Sequence, residues 1–269
     1  MPVRRKEVKS RLTGETLVRR ALIESTAIER PYRITPELNV LKIGGHGAID
    51  YGKRVVMPLL EEIGRLSKKH QLLIVTGGGT RVRHIMDIGL DLDMPTGVLS
   101  ELAGKVSEQN AIMVSILLSK YGGVRIKRDD LLELPMLFKM RCLPVTHGTP
   151  PYGLYEPPPE KGRIPAFRTD TGAFLIAEAL GAKRCVFVKD VDGLYTEDPR
   201  ANKKAKLLKD ITADEVLEMG MEDMVVERKV VELLRYSVNM KEVYVVNGMQ
   251  PRNIARVLNG ENPGTVIRA

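Results

Sequence analysis

The sequence predicts an α/β fold with a mainly parallel central sheet, and three observations carry that prediction. Leu72-Leu73-Ile74-Val75-Thr76 is an unbroken run of the kind found in strands covered on both faces. It ends in Gly77-Gly78-Gly79, just as the earlier run Val40-Leu41-Lys42-Ile43 ends in Gly44-Gly45. Between the two, Val55, Val56, Leu59, Leu60 and Ile63 recur at helical spacing. Strand, glycine turn, helix, and then the same series again, is the punctuation of an alternating fold.

The remaining elements follow in order. Residues 1–33 carry Arg4, Arg5, Lys6, Lys9 and Arg11 and a weak helical pattern through Leu17, Leu22 and Ile23, which reads as a basic N-terminal arm. Residues 34–269 read as a single domain. A helix is expected to begin near Thr80, and a long one over 98–120 with Val98, Leu102, Val106, Ile112, Met113, Ile116 and Leu117 as its apolar positions. Cys142-Leu143-Pro144-Val145 reads as a strand, and the Gly- and Pro-rich stretch 148–165 as an ordered loop or excursion. Thr169 is expected to cap a helix through Ala173, Leu175, Ile176 and Leu180, with Gly181 as its stop. Cys185-Val186-Phe187-Val188-Lys189 is a further buried strand. Val243-Tyr244-Val245-Val246 and Thr265-Val266-Ile267 close the sheet, separated by a helix from about Pro251.

Composition excludes several classes. Charged residues at 28% and hydrophobic residues at 43% describe a folded chain rather than a disordered one. No apolar run approaches the roughly 20 residues that span a bilayer, so no membrane partner is expected. No apolar segment follows the basic start, so no signal peptide is expected. Cys142 and Cys185 sit in apolar runs and read as buried, reduced thiols, which suits a cytoplasmic location. The net charge of +8 raises a nucleic-acid reading, but 4% aromatic residues and no Trp leave few stacking platforms. A small polyanion, a nucleotide or an oxyanion, accounts for the same excess.

Four segments carry chemistry. Lys42-Ile43-Gly44-Gly45 ends a strand where backbone N–H groups can approach phosphate oxygens, and a lysine inside an apolar strand calls for an anion to meet it. After Thr76, the turn Gly77-Gly78-Gly79 clears every side chain from the mouth of its strand. The following Arg81, Arg83 and His84 surround that turn with cationic donors, and a cationic first helical turn opposes the helix dipole unless an anion is bound. Arg168-Thr169-Asp170 starts a helix, where Asp170 either serves the helix terminus or orients Lys42 or a phosphate-bound metal. Lys189-Asp190-Val191-Asp192-Gly193-Leu194-Tyr195-Thr196-Glu197-Asp198-Pro199 follows a buried strand, at the kind of strand end where ligands bind in open α/β sheets. There Asp190 could hold Mg²⁺, while Tyr195 and the Asp198-Pro199 turn could frame an adenine.

In this order, Lys-x-Gly-Gly, Gly-Gly-Gly, Thr-Asp-x-Gly and Asp-x-Asp-Gly-x-Tyr-Thr-x-Asp-Pro resemble the amino-acid-kinase superfamily. Uridylate kinases share a similar last block. The finer resemblance is to molybdenum storage protein subunits, through Ile49-Asp50-x-Gly52, Thr80-Arg81-Val82-Arg83-His84, Gln109-Asn110, Pro150-Pro151-Tyr152 and Val245-Val246-Asn247-Gly248. The resemblance implies a three-layer αβα fold and a homo- or hetero-hexamer, a trimer of dimers, that accumulates molybdate or tungstate in a cage with ATP-driven loading. By position it places Lys42, Gly44 and Gly45 at the nucleotide phosphates, Asp190 at Mg²⁺, and Tyr195, Asp198 and Pro199 by the adenosine. Lys189, Asp192 and Gly193, from the same strand-end segment, are read with ATP beside them. It places Gly77, Gly78, Gly79 and Arg81 on the anion side. Thr76, Arg83, His84 and Thr169 are read there from their own positions beside the turns, and Lys42 and Asp170 as the catalytic pair. The alternative is a small-molecule phosphotransferase acting on UMP. Two departures are visible. Gly153-Leu154-Tyr155-Glu156 stands where one storage-protein subunit type has histidines, and Phe187 stands where uridylate kinases place a lysine, with Lys189 two residues on along the same strand face.

Overall fold

The sheet is built from strands whose side chains alternate between two apolar layers, so each face needs its own cover. The computed structural model describes residues 32–199, 201–221 and 223–269. The predicted basic arm, apart from its last two positions, lies outside them. Residues Arg33–Ala269 form one compact unit.

The strands are β1 (Leu38–Ile43), β2 (Gln71–Thr76), β3 (Gly123–Arg125), β4 (Leu143–His147), β5 (Arg184–Lys189), β6 (Leu194–Tyr195), β7 (Leu207–Leu208), β8 (Asp210–Thr212), β9 (Glu242–Asn247) and β10 (Thr265–Arg268). Eight of them form one sheet in the order β3-β4-β2-β1-β5-β9-β10-β8, and β6 and β7 form a separate antiparallel ribbon. Within the large sheet only β9 and β10 pair antiparallel. The helices are α1 (Lys53–Leu66), α2 (Thr80–Asp91), α3 (Thr96–Leu117), α4 (Leu134–Lys139), α5 (Thr169–Leu180), α6 (Ala213–Glu218), α7 (Arg228–Leu234) and α8 (Arg252–Leu258). This is the mainly parallel α/β fold the sequence predicts, and no helix of the described residues is long and apolar enough to cross a membrane.

The period of two along the strands sorts the core. Leu38, Val40, Leu73, Val75, Cys185 and Phe187 pack with Phe174 of α5 and with Val230 and Leu234 of α7. Leu41, Ile43, Ile74, Val186 and Val188 pack on the opposite face with Leu59 and Ile63 of α1, Val114 of α3 and Ile254 of α8. Lys42 follows Leu38 and Val40 on the α5 side, and Lys189 follows Phe187 there. β1 and β5 are neighbours with Lys42 opposite Phe187, so alternation alone brings both lysines to one face beside α5.

Three expectations need correction. The long helix is Thr96–Leu117, but Ile112, Met113, Ile116 and Leu117 are exposed. The buried side includes Leu99 and Val114 but is mostly small, with Ser100, Ala103, Gly104, Ser107 and Ala111, which lets α3 lie close to the sheet. Thr169 is the first residue of α5 rather than its cap, and the preceding Arg168 offers no capping side chain. Cys142 is only half-buried at a strand entry, although both thiols are free and Cys185 is buried. Gly181 does terminate α5, with φ +62° in the left-handed region that favours glycine. The 148–165 stretch is an ordered loop. The buried carboxylate of Glu156 accepts from Phe167 N–H at 3.2 Å, and the Tyr152 and Phe167 rings stand 5.3 Å apart.

Candidate functional site

The C-terminal ends of β1, β2 and β5 open into one cavity of about 860 Å³, within the usual range for small-molecule sites. It sits where β1 has β2 on one side and β5 on the other, the kind of switch point at which open α/β sheets bind ligands. Both glycine turns form its floor: Gly44, Gly45, Gly77, Gly78 and Gly79 all line it. A Cβ on Gly45 would fall 2.2 Å from Gly79 N, and one on Gly77 would fall 3.2 Å from Lys42 Nζ. The two turns therefore touch as bare backbone.

Beside them, Lys42 Nζ lies 2.5 Å from Asp170 Oδ1 and Lys189 Nζ lies 2.6 Å from Asp170 Oδ2. One aspartate bridges two lysines, and the side chains are 6%, 5% and 13% exposed for Lys42, Asp170 and Lys189. Burial pushes the Asp170 carboxyl up, but Lys189 and Lys42 outweigh it and hold the group well below the usual carboxylate range. Burial lowers Lys189, against the pull of Asp170. The two ammonium groups share this one carboxylate in a water-poor corner, and each has further N–H donors for the oxygens of an anion.

Asp190, Gly193, Tyr195, Asp198 and Pro199 also line the cavity. Asp190 Oδ2 accepts from the Tyr51 hydroxyl at 3.0 Å. Asp192 does not line the cavity. It accepts from Asn247 Nδ2 at 2.8 Å and from the Tyr195 hydroxyl at 3.4 Å, joining the β5 and β9 ends. Arg83 and Thr169 line the cavity, whereas Thr76, Arg81 and His84 do not. The Thr76 hydroxyl donates to Ser107 O at 3.0 Å and Thr146 O at 3.3 Å inside the fold. Arg81 donates to Gln109 Oε1 at 3.3 Å and to Asn110 Oδ1, and Asn110 Nδ2 donates to Gly77 O at 2.6 Å. Arg81 thus braces the second glycine turn from behind.

Asp50, which sequence reasoning noted only within a shared motif, resolves the cationic helix start. Its carboxylate accepts from Thr80 N–H at 2.7 Å and from the Thr80 hydroxyl at 2.8 Å, placing a negative charge at the N-terminus of α2. Asp50→Ala is expected to cost about 1 kcal/mol, the usual loss of a helix cap, measured as a lower denaturant midpoint at unchanged slope. Arg168 borders the cavity as well, and so do Phe167, Thr149, Met221 and residues 223–227, to which no glycine pattern or strand end pointed.

Comparison with known proteins agrees with this architecture. The model of the amino acid kinase family matches residues 37–247. The chain is 42% identical over 260 residues to the molybdenum storage protein subunit beta of Azotobacter vinelandii, covering 95% of this chain and 96% of that one. It is 29% identical to the uridylate kinase of Thermofilum pendens, over 74% of this chain and 81% of that one. Among solved structures, the UMP kinase of Ureaplasma parvum superposes with a TM-score of 0.68 at 22% identity, covering 87% of this chain and 99% of that one. The uridylate kinase of Archaeoglobus fulgidus gives 0.65 at 23% identity, over 85% and 99% of the two chains. With its family match spanning most of the folded residues and a near full-length relative, the chain belongs to the amino acid kinase family.

Proposed function

We propose that this chain is an ATP-binding subunit of an oligomeric assembly that takes up and stores molybdate or tungstate. The observation that carries the reading is the 42% identity over 95% of the chain to a molybdenum storage subunit, against 29% for a uridylate kinase. The geometry supports the nucleotide half of it. The glycine floor would be filled by any side chain, and Lys42 and Lys189 stand ready for phosphate oxygens. Among the described residues there is no group of three or more His, Cys, Asp or Glu that could cage a metal ion. A Mg²⁺ ion suits this site through Asp190 and nucleotide phosphates together, as such ions are usually held, and would supply charge neutralisation there.

The protein's own residues then divide the work. The glycine amides and Lys42 bind phosphate oxygens, Asp170 fixes both lysines, and Tyr195 with Asp198-Pro199 frames the nucleoside. Arg83 and Thr169 face the oxyanion. The exposed Ile112, Met113, Ile116 and Leu117 on α3, beside a groove of about 450 Å³ lined by Ile49, Val56 and Met57, suit burial in an assembly.

The test is elemental analysis of protein incubated with molybdate or tungstate, with and without Mg-ATP, then desalted. Many metal atoms per subunit are expected only with ATP, and Lys42→Ala is expected to reduce loading to background. Background metal in the parent protein, together with UDP formed from UMP and ATP, would replace storage by phosphotransfer to UMP.

A further inference from the structure

The buried bridge has a fourth charged member that no motif singled out. Glu227 precedes α7, and its carboxylate accepts from the N–H groups of Arg168 at 3.2 Å, Asp170 at 3.0 Å and Thr171 at 2.9 Å, and from the Thr171 hydroxyl at 2.6 Å. In return Glu227 N–H donates to Asp170 Oδ2 at 3.4 Å. Helix caps are normally local and short. Here α5 lacks one of its own, since Arg168 makes no capping contact, and takes its cap from a residue 57 positions away. Two helix starts face each other, each meeting the other's carboxylate. With Glu227 included, two buried lysines balance two carboxylates.

We propose that Glu227 is a positioning residue that fixes the first turn of α5 and completes the charge balance around Lys42, Asp170 and Lys189, so that it sets the anion affinity of the cavity through those groups. Four hydrogen bonds tie the start of α5 to the Glu227 carboxylate. Asp170, held in that first turn, is the group that spaces the two lysines, so a loosened turn displaces Lys42 and Lys189 together.

The inference deepens the nucleotide reading, but its primary readout is independent of any ligand. Amide hydrogen exchange at residues 168–171, read by mass spectrometry in the full chain, reports how firmly the first turn of α5 is held. Glu227→Ala removes the acceptor of three N–H groups there and is expected to speed their exchange roughly tenfold, with exchange in β1 and β5 and the circular dichroism spectrum unchanged. It is also expected to weaken Mg-ATP binding roughly tenfold. Glu227→Gln keeps an acceptor oxygen without the charge and is expected to fall between the parent protein and the Ala variant. Unchanged exchange at residues 168–171 in folded Glu227→Ala overturns the proposal, as does faster exchange with unchanged Mg-ATP affinity. Should that variant fail to fold, Glu227→Gln decides: faster exchange supports the proposal and parent-like exchange overturns it. If the parent protein binds no Mg-ATP, the nucleotide reading fails while the exchange rates still judge Glu227.

Discussion

Asp170→Asn is expected to abolish nucleotide-dependent loading and to destabilise the fold by about 3–5 kcal/mol, the usual effect of removing one partner from a buried ion pair. The substitution keeps the shape and removes the charge that separates two buried ammonium groups, Lys42 at 2.5 Å and Lys189 at 2.6 Å. Loss of function and loss of stability have one cause, because the lysines that would meet phosphate are the ones left facing each other. The pH dependence distinguishes this from a general packing defect. The folded-state pKa of Asp170 is depressed by the two lysines, so its contribution is fully present above the unfolded value near 3.9 and disappears as pH falls through the folded value. The stability gap between the parent protein and the variant is therefore expected to be constant near neutrality and to shrink below about pH 4. Denaturant midpoints measured across that range check it, and a gap that stays constant to the lowest accessible pH counts against the charge argument.

Gly45→Ala is expected to remove ligand binding while leaving most secondary structure in place. Its new methyl would meet Gly79 N at 2.2 Å, Gly79 Cα at 2.4 Å and Gly78 C at 2.6 Å, all of them backbone. Nothing flexible stands there to yield, so the two glycine turns must separate. Overpacking of this kind costs about 1–3 kcal/mol, and a shift of about 1 Å at a positioned site is worth roughly 100-fold in function. Titration with Mg-ATP should show the loss, and Gly52→Ala serves as a contrast, since its φ of +67° strains the backbone but no atom lies within 4 Å of the added Cβ.

The parts of the site legible in the sequence are those written in neighbouring residues. A lysine inside an apolar strand, glycines at two strand ends and an Asp-Gly turn each announce themselves over a few positions, and Lys42, Gly45, Gly77 and Tyr195 line the cavity accordingly. What escaped is what depends on two distant segments meeting. Glu227 shows only as an acid after two valines, and its role exists because α7 begins opposite α5. Charge and the family resemblance both point Arg81 at an anion, but Asn110 of α3, packed alongside, takes its guanidinium. The apolar positions of α3 were misread for a related reason. Hydrophobicity marks what is buried somewhere, whereas here close approach to the sheet demands Ala103, Gly104 and Ser107, leaving Ile116 64% exposed.

The cavity straddles the line where β1 meets β5, and those strands come from opposite halves of the chain, with Asn39 paired to Arg184 and Ile43 to Val188. β1 to β4 lie on one side of that line and β5 and β8 to β10 on the other. An anion bound between the glycine turns and the end of β5, as proposed, would hold to both sides at once and act as a removable rivet across the joint. By mass action such a ligand at 100 times its dissociation constant adds about 2.7 kcal/mol to the stability of the joined state. The resistance of the whole chain to unfolding then becomes a gauge of how full its cavity is.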